Sequence, residues 1–425
     1  MYKLSKFNVA FSHNGNDYIW NTKSGAVIRL DRDGKEYFAN FDEYDEKNEM
    51  LQIVLKNGFV VKKQFDEVGK IVFDECTAMY DRYPDTFYYT IAPGMNCNYF
   101  CVYCFEEGRD RKIQMSSELA GNVVKFIEKK SSMNHNLKRI NIKWFGGEPL
   151  LYLDLIRLIS KRVMDFCDKN SIVYDAGIIT NGSLLTNDVC DELVSLHVKN
   201  AQITVDGLEK DYCKSKRTSS NNFFNTVNNI QSACEKMNIS IRLNIKDNNA
   251  IDAINVSDYL LHELGLYKKI GVYFAFVRDY NRNSIKEDYQ HFSNEYIKWL
   301  TYMNEKYDWI KMKKAKSFVK TTSCASIRRN NYCIGPKGEL YKCEHCIGEY
   351  ESAIGNINEG EYHNESECSY METLISGKRE NCLKCEFLPL CLGGCANDNV
   401  SKSPGIDCDA YKEMEVQKII MQIEN

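Results

Sequence analysis

Residues 97–104 read Cys-Asn-Tyr-Phe-Cys-Val-Tyr-Cys, a stretch of eight residues with three cysteines. A loop with this spacing can wrap one iron–sulfur cluster and supply three thiolates, which leaves one iron of a cubane without a protein ligand. A structural zinc site would need four tetrahedral ligands, usually as two separated pairs, and no fourth partner lies nearby in the sequence. The spacing therefore predicts a cluster held by Cys97, Cys101 and Cys104, with one open iron.

The overall composition is that of a chain with several domains. Its 425 residues predict two to three domains at about 150 residues each. Lys and Arg number 55 and Asp and Glu number 59, so the formal charge is −4, which gives no footprint for nucleic acid or an anionic membrane. Apolar residues make up 44%, which argues against general disorder. Without an apolar run of about 18 residues or a signal peptide, we expect a cytoplasmic protein without a membrane span.

The 18 cysteines are unevenly placed. A disulfide framework is not expected, because cytoplasmic thiols are kept reduced. Most cysteines outside residues 97–104 lie between Cys324 and Cys408, and this field predicts metal or iron–sulfur sites. The scattered cysteines are expected to be small buried side chains; they are Cys76, Cys167, Cys190, Cys213 and Cys234.

Short apolar segments alternate with helical stretches over residues 85–305. The expected strands are residues 88–91, 140–144, 176–179, 201–205, 239–243 and 271–276. This alternation predicts an α/β fold with parallel strands joined by right-handed crossovers. Six such units suffice for a partial TIM barrel, (β/α)6, whose functional groups gather at the carboxyl ends of the strands.

The two flanking segments differ from this pattern. In residues 1–80, apolar runs separated by turn signals predict a small antiparallel meander, followed by helices and a further short strand. We interpret this segment as a compact winged-helix-like module, and the alternative is an extension that packs on the catalytic domain. Residues 310–425 are rich in cysteine and have few long apolar runs, so metal centres are expected to hold them together.

Further motifs stand at the ends of the predicted strands. Gly146-Gly147-Glu148-Pro149 follows the second strand, Thr180-Asn181-Gly182 the third and Asp206-Gly207 the fourth. Together with the cysteine loop, this order resembles the radical S-adenosylmethionine (SAM) superfamily from about Tyr88 to Phe276. The resemblance implies a 4Fe–4S cluster that passes an electron to SAM, and a 5′-deoxyadenosyl radical that removes hydrogen from an unactivated carbon.

The same resemblance implies a set of SAM-binding residues. Glycines let the backbone approach a ligand closely, and the Glu148 carboxylate can accept a hydrogen bond from the SAM ammonium. Lys216 and Arg217 both fit the basic residue that binds the SAM carboxylate, and Arg242 fits the ribose side. The predicted set is Tyr103, Gly146, Gly147, Glu148, Pro149, Thr180, Asn181, Asp206, Arg217 and Asn244.

The second cysteine field has fixed internal spacings: Cys324-x13-Gly338-x4-Cys343, Cys382-x2-Cys385-x5-Cys391-x3-Cys395, and Cys408. It resembles the SPASM extension of radical SAM peptide and protein modifiers, which implies two auxiliary 4Fe–4S clusters and three clusters in all. The implied ligands are Cys382, Cys385, Cys391 and Cys408 for the outer cluster, and Cys324, Cys343 and Cys395 for the inner one. A double zinc ribbon is the alternative, but Cys391 and Cys395 do not form its second CxxC.

The fourth ligand of the inner cluster is left open by the sequence. If Ile334 faces Glu339 across the hairpin turn, Cys333 points away from the face that carries Cys343. Cys346 is then the better ligand, and an unfilled position that receives a substrate thiolate is the other option. Glu344 stands where the related sulfatase-maturing enzymes have their catalytic base, and a solvated hairpin residue is the alternative.

These resemblances imply a peptide maturase. The N-terminal module resembles the leader-recognition element of such enzymes, in which the leader adds as a strand to the meander edge. Residues 26–30 and the helix near residues 50–55 would form the binding groove. The expected partners are a precursor peptide with a Cys-containing core and a reducing protein such as flavodoxin or ferredoxin.

The favoured reaction is oxidative thioether formation from Cys residues, as in sactipeptides and ranthipeptides. Two alternatives keep the radical chemistry: an anaerobic sulfatase-maturing enzyme that forms formylglycine, and a carbon–carbon crosslinking or decarboxylating peptide maturase. A third, from another class, is a metal-stabilised DNA-binding protein, which the acid-rich stretch over residues 31–49 disfavours.

Overall fold

The computed structural model describes residues 1–41, 49–277, 285–309, 324–372, 380–400, 405 and 407–424. The strands are β1 (Tyr2–Leu4), β2 (Asn8–His13), β3 (Asn16–Asn21), β4 (Val27–Leu30), β5 (Val60–Lys62), β6 (Thr86–Ile91), β7 (Arg139–Trp144), β8 (Val173–Thr180), β9 (Val198–Val205), β10 (Asn238–Leu243), β11 (Ile270–Phe274), β12 (Asn331–Ile334), β13 (Glu339–Tyr341), β14 (Gly355–Asn356) and β15 (Gly360–Glu361). The helices are α1 (Arg32–Ala39), α2 (Glu49–Lys56), α3 (Glu67–Tyr80), α4 (Ser117–Ser132), α5 (Leu153–Lys169), α6 (Asn187–Ser195), α7 (Glu209–Lys216), α8 (Ser220–Ala233), α9 (Ala250–Asp258), α10 (Ile285–Tyr307), α11 (Glu365–Met371), α12 (Glu380–Leu383), α13 (Leu388–Cys391), α14 (Ala396–Val400) and α15 (Cys408–Ile423).

Residues 81–302 and 329–370 form one compact unit, called here the barrel unit. Strands β6 to β11 pair in parallel, each with the next along the chain. All six coincide with predicted strands, so the predicted α/β core of alternating strands and helices is confirmed.

Side chains alternate along β7 between a buried apolar face and a polar face that lines the barrel interior. On β7, Ile140, Ile142 and Trp144 are fully buried, while Asn141 and Lys143 between them are partly exposed and line the interior. A closed TIM barrel is filled by bulky branched side chains, so this polar interior leaves space for a ligand.

The sheet continues beyond the six predicted strands. β12 pairs in parallel with β6, and β13, β14 and β15 follow in antiparallel order. The cysteine content predicts that this stretch is part of a separate segment, residues 310–425, held by metal centres. The structure instead groups residues 329–370 with the barrel unit, because backbone hydrogen bonds join them to β6.

Residues 1–80, 303–328 and 371–425 form the other compact unit, called here the flanking unit. It contains the predicted meander, β2-β3-β4, and β1 pairs with β5. Ile19 on β3 packs with Leu51 and Val54 of α2, while Trp20 next to it packs with Phe387.

Two faces of the meander therefore meet different parts of the chain. Residues 1–80 are not a separate unit as predicted, because the Trp20 face is covered by the C-terminal cysteine field. The winged-helix assignment stays a prediction. No helix in the described part of the chain is long and apolar enough to cross a bilayer.

Candidate active site

A cavity of about 640 Å³ lies at the carboxyl ends of the barrel strands. This volume lies in the range typical of small-molecule and cofactor sites. The predicted site residues on its wall are Cys97, Cys101, Tyr103, Cys104, Gly146, Gly147, Thr180, Asn181, Asn244 and Glu344. Residues from distant parts of the sequence thus converge on one space.

The cysteine loop is fixed at one end of this cavity by backbone hydrogen bonds. The Phe100 N–H donates to the carbonyl of Lys216 at 3.2 Å, and the Val102 N–H donates to that of Ser215 at 2.9 Å. Burial raises the pKa of the Cys97 thiol to about 11, so ionisation needs a positive partner such as iron. Three partly buried thiols on a fixed loop fit the predicted cluster.

Gly146 and Gly147 allow the loop that follows β7 to lie against the cysteine loop. A Cβ atom at Gly147 would lie 2.3 Å from the Asn96 carbonyl oxygen and 2.5 Å from that of Met95. The Glu148 N–H donates to the Asn96 carbonyl at 2.8 Å. The glycines therefore permit a close approach to the backbone of the cysteine loop.

Glu148 is fully buried and bonds to protein groups. Its carboxylate accepts hydrogen bonds from Leu150 N at 3.0 Å, Thr180 Oγ1 at 2.7 Å and Asn181 N at 2.8 Å. Burial raises the pKa of this carboxyl, and these hydrogen bonds oppose the rise. Glu148 thus ties the end of β7 to the end of β8, and its predicted bond to the SAM ammonium stays a prediction. Pro149 is also buried, at the start of a 3-10 turn.

Asp206 is the centre of a buried polar group. The Tyr103 hydroxyl donates to its Oδ1 at 2.6 Å, and Lys216 Nζ lies 3.3 Å from its Oδ2. Burial raises the pKa of Asp206, and the charge of Lys216 opposes that rise. Lys216 lines the cavity, whereas Arg217 is exposed and outside the cavity wall. Lys216 is therefore the basic residue of this wall beside the cysteine loop, and which of the two residues binds the SAM carboxylate stays a prediction.

Glu344 forms an ion pair inside the cavity. Its carboxylate accepts a hydrogen bond from Lys143 Nζ, and both side chains line the wall. Burial acts to lower the pKa of Lys143, but the charge and hydrogen bond of Glu344 outweigh it and raise the value. Glu344 is therefore ion-paired and partly buried, and its role as the base stays a prediction. The sequence does not single out Lys143, because an inward position in a strand carries no motif of its own.

The register of the β12–β13 hairpin differs from the predicted one. Ile334 pairs with Leu340, and Cys333 pairs with Tyr341. The predicted pairing of Ile334 with Glu339 is wrong by one residue, and such a slip exchanges the faces of a strand. Cys333 consequently shares a face with Cys343.

The remaining predicted cluster ligands are distributed over both units. Cys343 and Cys346 belong to the barrel unit, and the others, Cys324, Cys382, Cys385, Cys391, Cys395 and Cys408, belong to the flanking unit. Burial raises the pKa of Cys395, and the charge of Cys324 acts in the same direction. Among the described residues, no three Cys, His, Asp or Glu side chains are placed to share a single metal ion. The ligand sets stay predictions.

Comparison with known proteins identifies the family of the core. Residues 91–255 match the radical SAM superfamily, a range that includes the cysteine loop and the motifs after β7, β8 and β9. These residues form a radical SAM domain.

The chain is also similar to individual proteins and solved structures. It is 24% identical over 359 residues to the radical SAM cyclopropyl synthase TigE of Paramaledivibacter caminithermalis, covering 77% of this chain and 73% of TigE. It is 31% identical over 120 residues to a GTP 3′,8-cyclase of Clostridium botulinum, which is 28% of this chain and 34% of that enzyme.

Among solved structures, anSMEcpe with bound AdoMet superposes with a TM-score of 0.59 at 17% identity, covering 79% of this chain and 98% of that one. This likeness shows a shared fold.

Proposed function

We propose that this radical SAM enzyme modifies a ribosomally made precursor peptide, forming thioether crosslinks between Cys sulfurs and carbon atoms of other residues. The observation that carries the proposal is the placement of the three thiols of residues 97–104 at one end of a polar cavity that also holds the Lys143–Glu344 pair. A 4Fe–4S cluster and SAM bound there would supply the radical that removes a hydrogen atom from the substrate carbon.

The residues around the thiols have separate tasks in this proposal. Cys97, Cys101 and Cys104 hold the cluster, and Tyr103 with the Gly146–Gly147 backbone borders the space for SAM. Lys216 supplies a buried positive charge in the same wall, held by Asp206. Thr180, Asn181 and Asn244 complete the polar lining.

Glu344 is the proposed base. Thioether formation removes one hydrogen atom from carbon, one proton from the thiol, and one electron, so the product has lost two hydrogens. The Glu344 carboxylate, oriented by Lys143, accepts the thiol proton. The eight predicted SPASM cysteines would hold the auxiliary clusters, which would accept this electron when bound, and a flavodoxin or ferredoxin is the proposed source of reducing equivalents for the next turnover.

A peptide substrate is supported by the related fold. A structure of anSMEcpe contains bound AdoMet and the Kp18Cys peptide, with a TM-score of 0.59 and 80% of this chain covered. Because the identity is 17%, this supports the substrate class and not a particular reaction.

The meander offers a place for the leader of such a peptide. β4 is at one end of the β2-β3-β4 order, and Ile28 and Leu30 of β4 and Met50 of α2 are partly buried. An extended leader can pair with this edge and insert alternate side chains among these residues.

Co-expression with a Cys-containing peptide encoded beside this enzyme tests the proposal. Mass spectrometry is expected to show a loss of two hydrogens per ring, and replacing the core Cys by Ser is expected to abolish that loss. A crosslink that survives in the Ser peptide would favour carbon–carbon bond formation. An unchanged mass of the Cys peptide would contradict the proposal.

The sulfatase-maturing alternative makes a different prediction. A sulfatase fragment carrying the modification site would gain formylglycine, and the N-terminal module would be unnecessary. Formylglycine on that fragment, with no change in the neighbouring peptide, would replace the thioether proposal.

A further inference from the structure

The cavity of the barrel unit extends from the carboxyl ends of the strands towards their amino ends. Along β10, Ile239, Ile241 and Leu243 are buried, and the alternate residues face the cavity. These inward residues are Asn238, Ser240 and Arg242, and Asn238 is the first residue of the strand. The cavity therefore has a part within the barrel, called here the lower part, that lies below the motifs at the strand ends.

The wall of the lower part is polar and rich in uncharged side chains. Its amide side chains are Asn141, Asn200, Gln202 and Asn238. Asn238 Nδ2 donates to Asn200 Oδ1 at 3.1 Å. The Tyr273 hydroxyl donates to Gln202 Oε1 at 2.8 Å. These groups can form hydrogen bonds with a peptide but supply no charge to it.

Three Lys or Arg side chains among the described residues line the cavity, and they differ in their partners. Lys143 forms an ion pair with Glu344. Lys216 Nζ lies 3.3 Å from the Asp206 carboxylate. Arg242 forms no ion pair within the described ranges of the chain. A partly buried cation without a counter-charge is unfavourable, so an anionic ligand would be stabilised beside Arg242.

Neutral groups hold the guanidinium of Arg242. Its Nε donates to Asn244 Oδ1 at 2.8 Å. Tyr273 is its ladder partner on β11; burial raises the pKa of Tyr273, and the nearby charge of Arg242 opposes that rise. A guanidinium carries several N–H donors in a planar fork, so these neighbours leave donors for a ligand. A carboxylate is an anion whose shape matches that fork.

We propose that Arg242 binds a carboxylate of the precursor peptide, either on an Asp or Glu side chain or at the carboxyl terminus of the peptide. This inference rests on the proposed function, which supplies the peptide. A carboxylate bound by Arg242 would fix the peptide at the border between the lower part and the residues at the strand ends.

The position of Arg242 distinguishes this role from binding of SAM. Lys216, one of the two residues predicted to bind the SAM carboxylate, lies beside the cysteine loop that follows β6. Arg242 is on β10, which three strands separate from β6 in the sheet. The resemblance predicts Arg242 on the ribose side of SAM, but a ribose carries no negative charge and would leave the guanidinium without a counter-charge.

The test measures the KM for the precursor peptide encoded beside this enzyme, with crosslinking by the reconstituted full chain followed by mass spectrometry. Arg242→Gln removes the charge and Arg242→Lys keeps it. Arg162→Gln, on an exposed residue of α5, is the matched control. Each protein is assayed with the unchanged peptide, with peptides in which one Asp or Glu is replaced by Asn or Gln, and with a peptide amidated at its carboxyl terminus.

We expect Arg242→Gln to raise the KM for the unchanged peptide at least about tenfold, because the peptide carboxylate loses its charged partner. Arg242→Lys should raise it less, since the charge remains. With the wild-type enzyme, one of the altered peptides should show a similar rise, and that peptide identifies the source of the carboxylate. Arg242→Gln should not raise the KM for this peptide further, because both changes remove the same interaction.

Other results would overturn the inference. If Arg242→Gln changes the KM by the same factor for every peptide, Arg242 acts on SAM or on the fold. A KM for Arg242→Gln equal to that of Arg162→Gln would also exclude the contact. If no altered peptide raises the KM of the wild-type enzyme, no peptide carboxylate is bound, whatever the behaviour of the Arg242 variants.

Each of these failures leaves crosslinking by the wild type, and hence the proposed function, intact. A wild type that forms 5′-deoxyadenosine but does not modify the peptide would instead contradict the proposed function, and this inference with it.

Discussion

Lys143 Nζ donates a hydrogen bond to the carboxylate of Glu344, and this pair joins β7 to the residue that follows Cys343. Neither residue is part of the cysteine loop, yet both line the same cavity. An ion pair restricts the rotamers of both partners, so Lys143 holds the carboxylate in one direction.

Replacing Glu344 tests its role as base. We expect Glu344→Gln to reduce crosslinking of the co-expressed peptide by about 10²- to 10⁴-fold, the usual contribution of a positioned general base. Crosslinked and unmodified peptide are quantified by mass spectrometry. Glu351→Gln, on an exposed residue nearby, is the control and should crosslink like the wild type. Equal crosslinking in both variants would exclude Glu344 as the base.

Gly147→Ala tests the contact between the two loops. Its Cβ would meet the backbone oxygens of Met95 and Asn96 at 2.5 and 2.3 Å, so the cysteine loop must shift. We expect this variant to retain less cluster iron after reconstitution than the wild type. Gly121→Ala on α4 is the control, since its Cβ meets only Arg162 Nη1 at 3.4 Å. Similar iron contents in the two variants would contradict the described packing.

The lowered pKa of Glu361 predicts that this residue stabilises the fold in a pH-dependent way. Its carboxylate accepts hydrogen bonds from Lys130 Nζ at 2.5 Å and from the Tyr332 hydroxyl. Burial acts to raise the pKa of Glu361, but these bonds outweigh it and lower the value below 4.5. Stabilisation by a lowered carboxyl pKa is present above the unfolded value and disappears as the pH falls through the folded value.

We therefore expect Glu361→Gln to destabilise the protein at pH 7 by about 1–3 kcal/mol, and the difference from the wild type to narrow below pH 4.5. Midpoints of thermal unfolding at several pH values measure this difference. Glu118→Gln, on an exposed residue of α4, is the control. A stability difference between the two proteins that grows towards acid pH would contradict the lowered pKa of Glu361.

The edge of β4 can be tested without disturbing its pairing with β3. The Asn21 N–H bonds to the Ala26 carbonyl at 2.9 Å, and Ile28 pairs with Ile19. Because hydrogen-bonded pairs alternate along an antiparallel ladder, the backbone N–H groups of Ile28 and Leu30 donate to β3. The N–H of Arg29 points to the unpaired edge of β4. Arg29→Pro removes that donor, and with it the Arg side chain, while the hydrogen bonds towards β3 keep their donors.

We expect Arg29→Pro to raise the Kd for the precursor peptide about tenfold, as measured by fluorescence anisotropy with labelled peptide. Arg29→Ala keeps the N–H and should bind like the wild type. If both variants bind equally well, the leader does not add to this edge.

The core strands were predictable from sequence because their burial pattern is local. Ile140, Ile142 and Trp144 alternate with polar residues, and the motif glycines mark the end of the strand. The cysteine loop follows β6 and lines the cavity, and its role as a cluster site stays a prediction.

What the sequence did not reveal depends on contacts between distant segments. The hairpin register around Gly335 and Gly338 is set by the turn, and a slip of one residue leaves no trace in the local pattern. Trp20 and Phe387 are in contact but lie near opposite ends of the chain, so the sequence around either residue does not predict the contact. Lys216 and Arg217 are adjacent, and only the left-handed backbone at Arg217 shows which of them faces outwards.

Formation of 5′-deoxyadenosine from SAM is the most direct measurement of the central claim. Anaerobically reconstituted protein is mixed with SAM and dithionite, and the product is quantified by mass spectrometry. We expect the wild type to form 5′-deoxyadenosine, and Cys101→Ala to form none while it retains the iron of the auxiliary clusters. Product formation by Cys101→Ala, or zinc in place of iron at the loop of the wild type, would contradict the account.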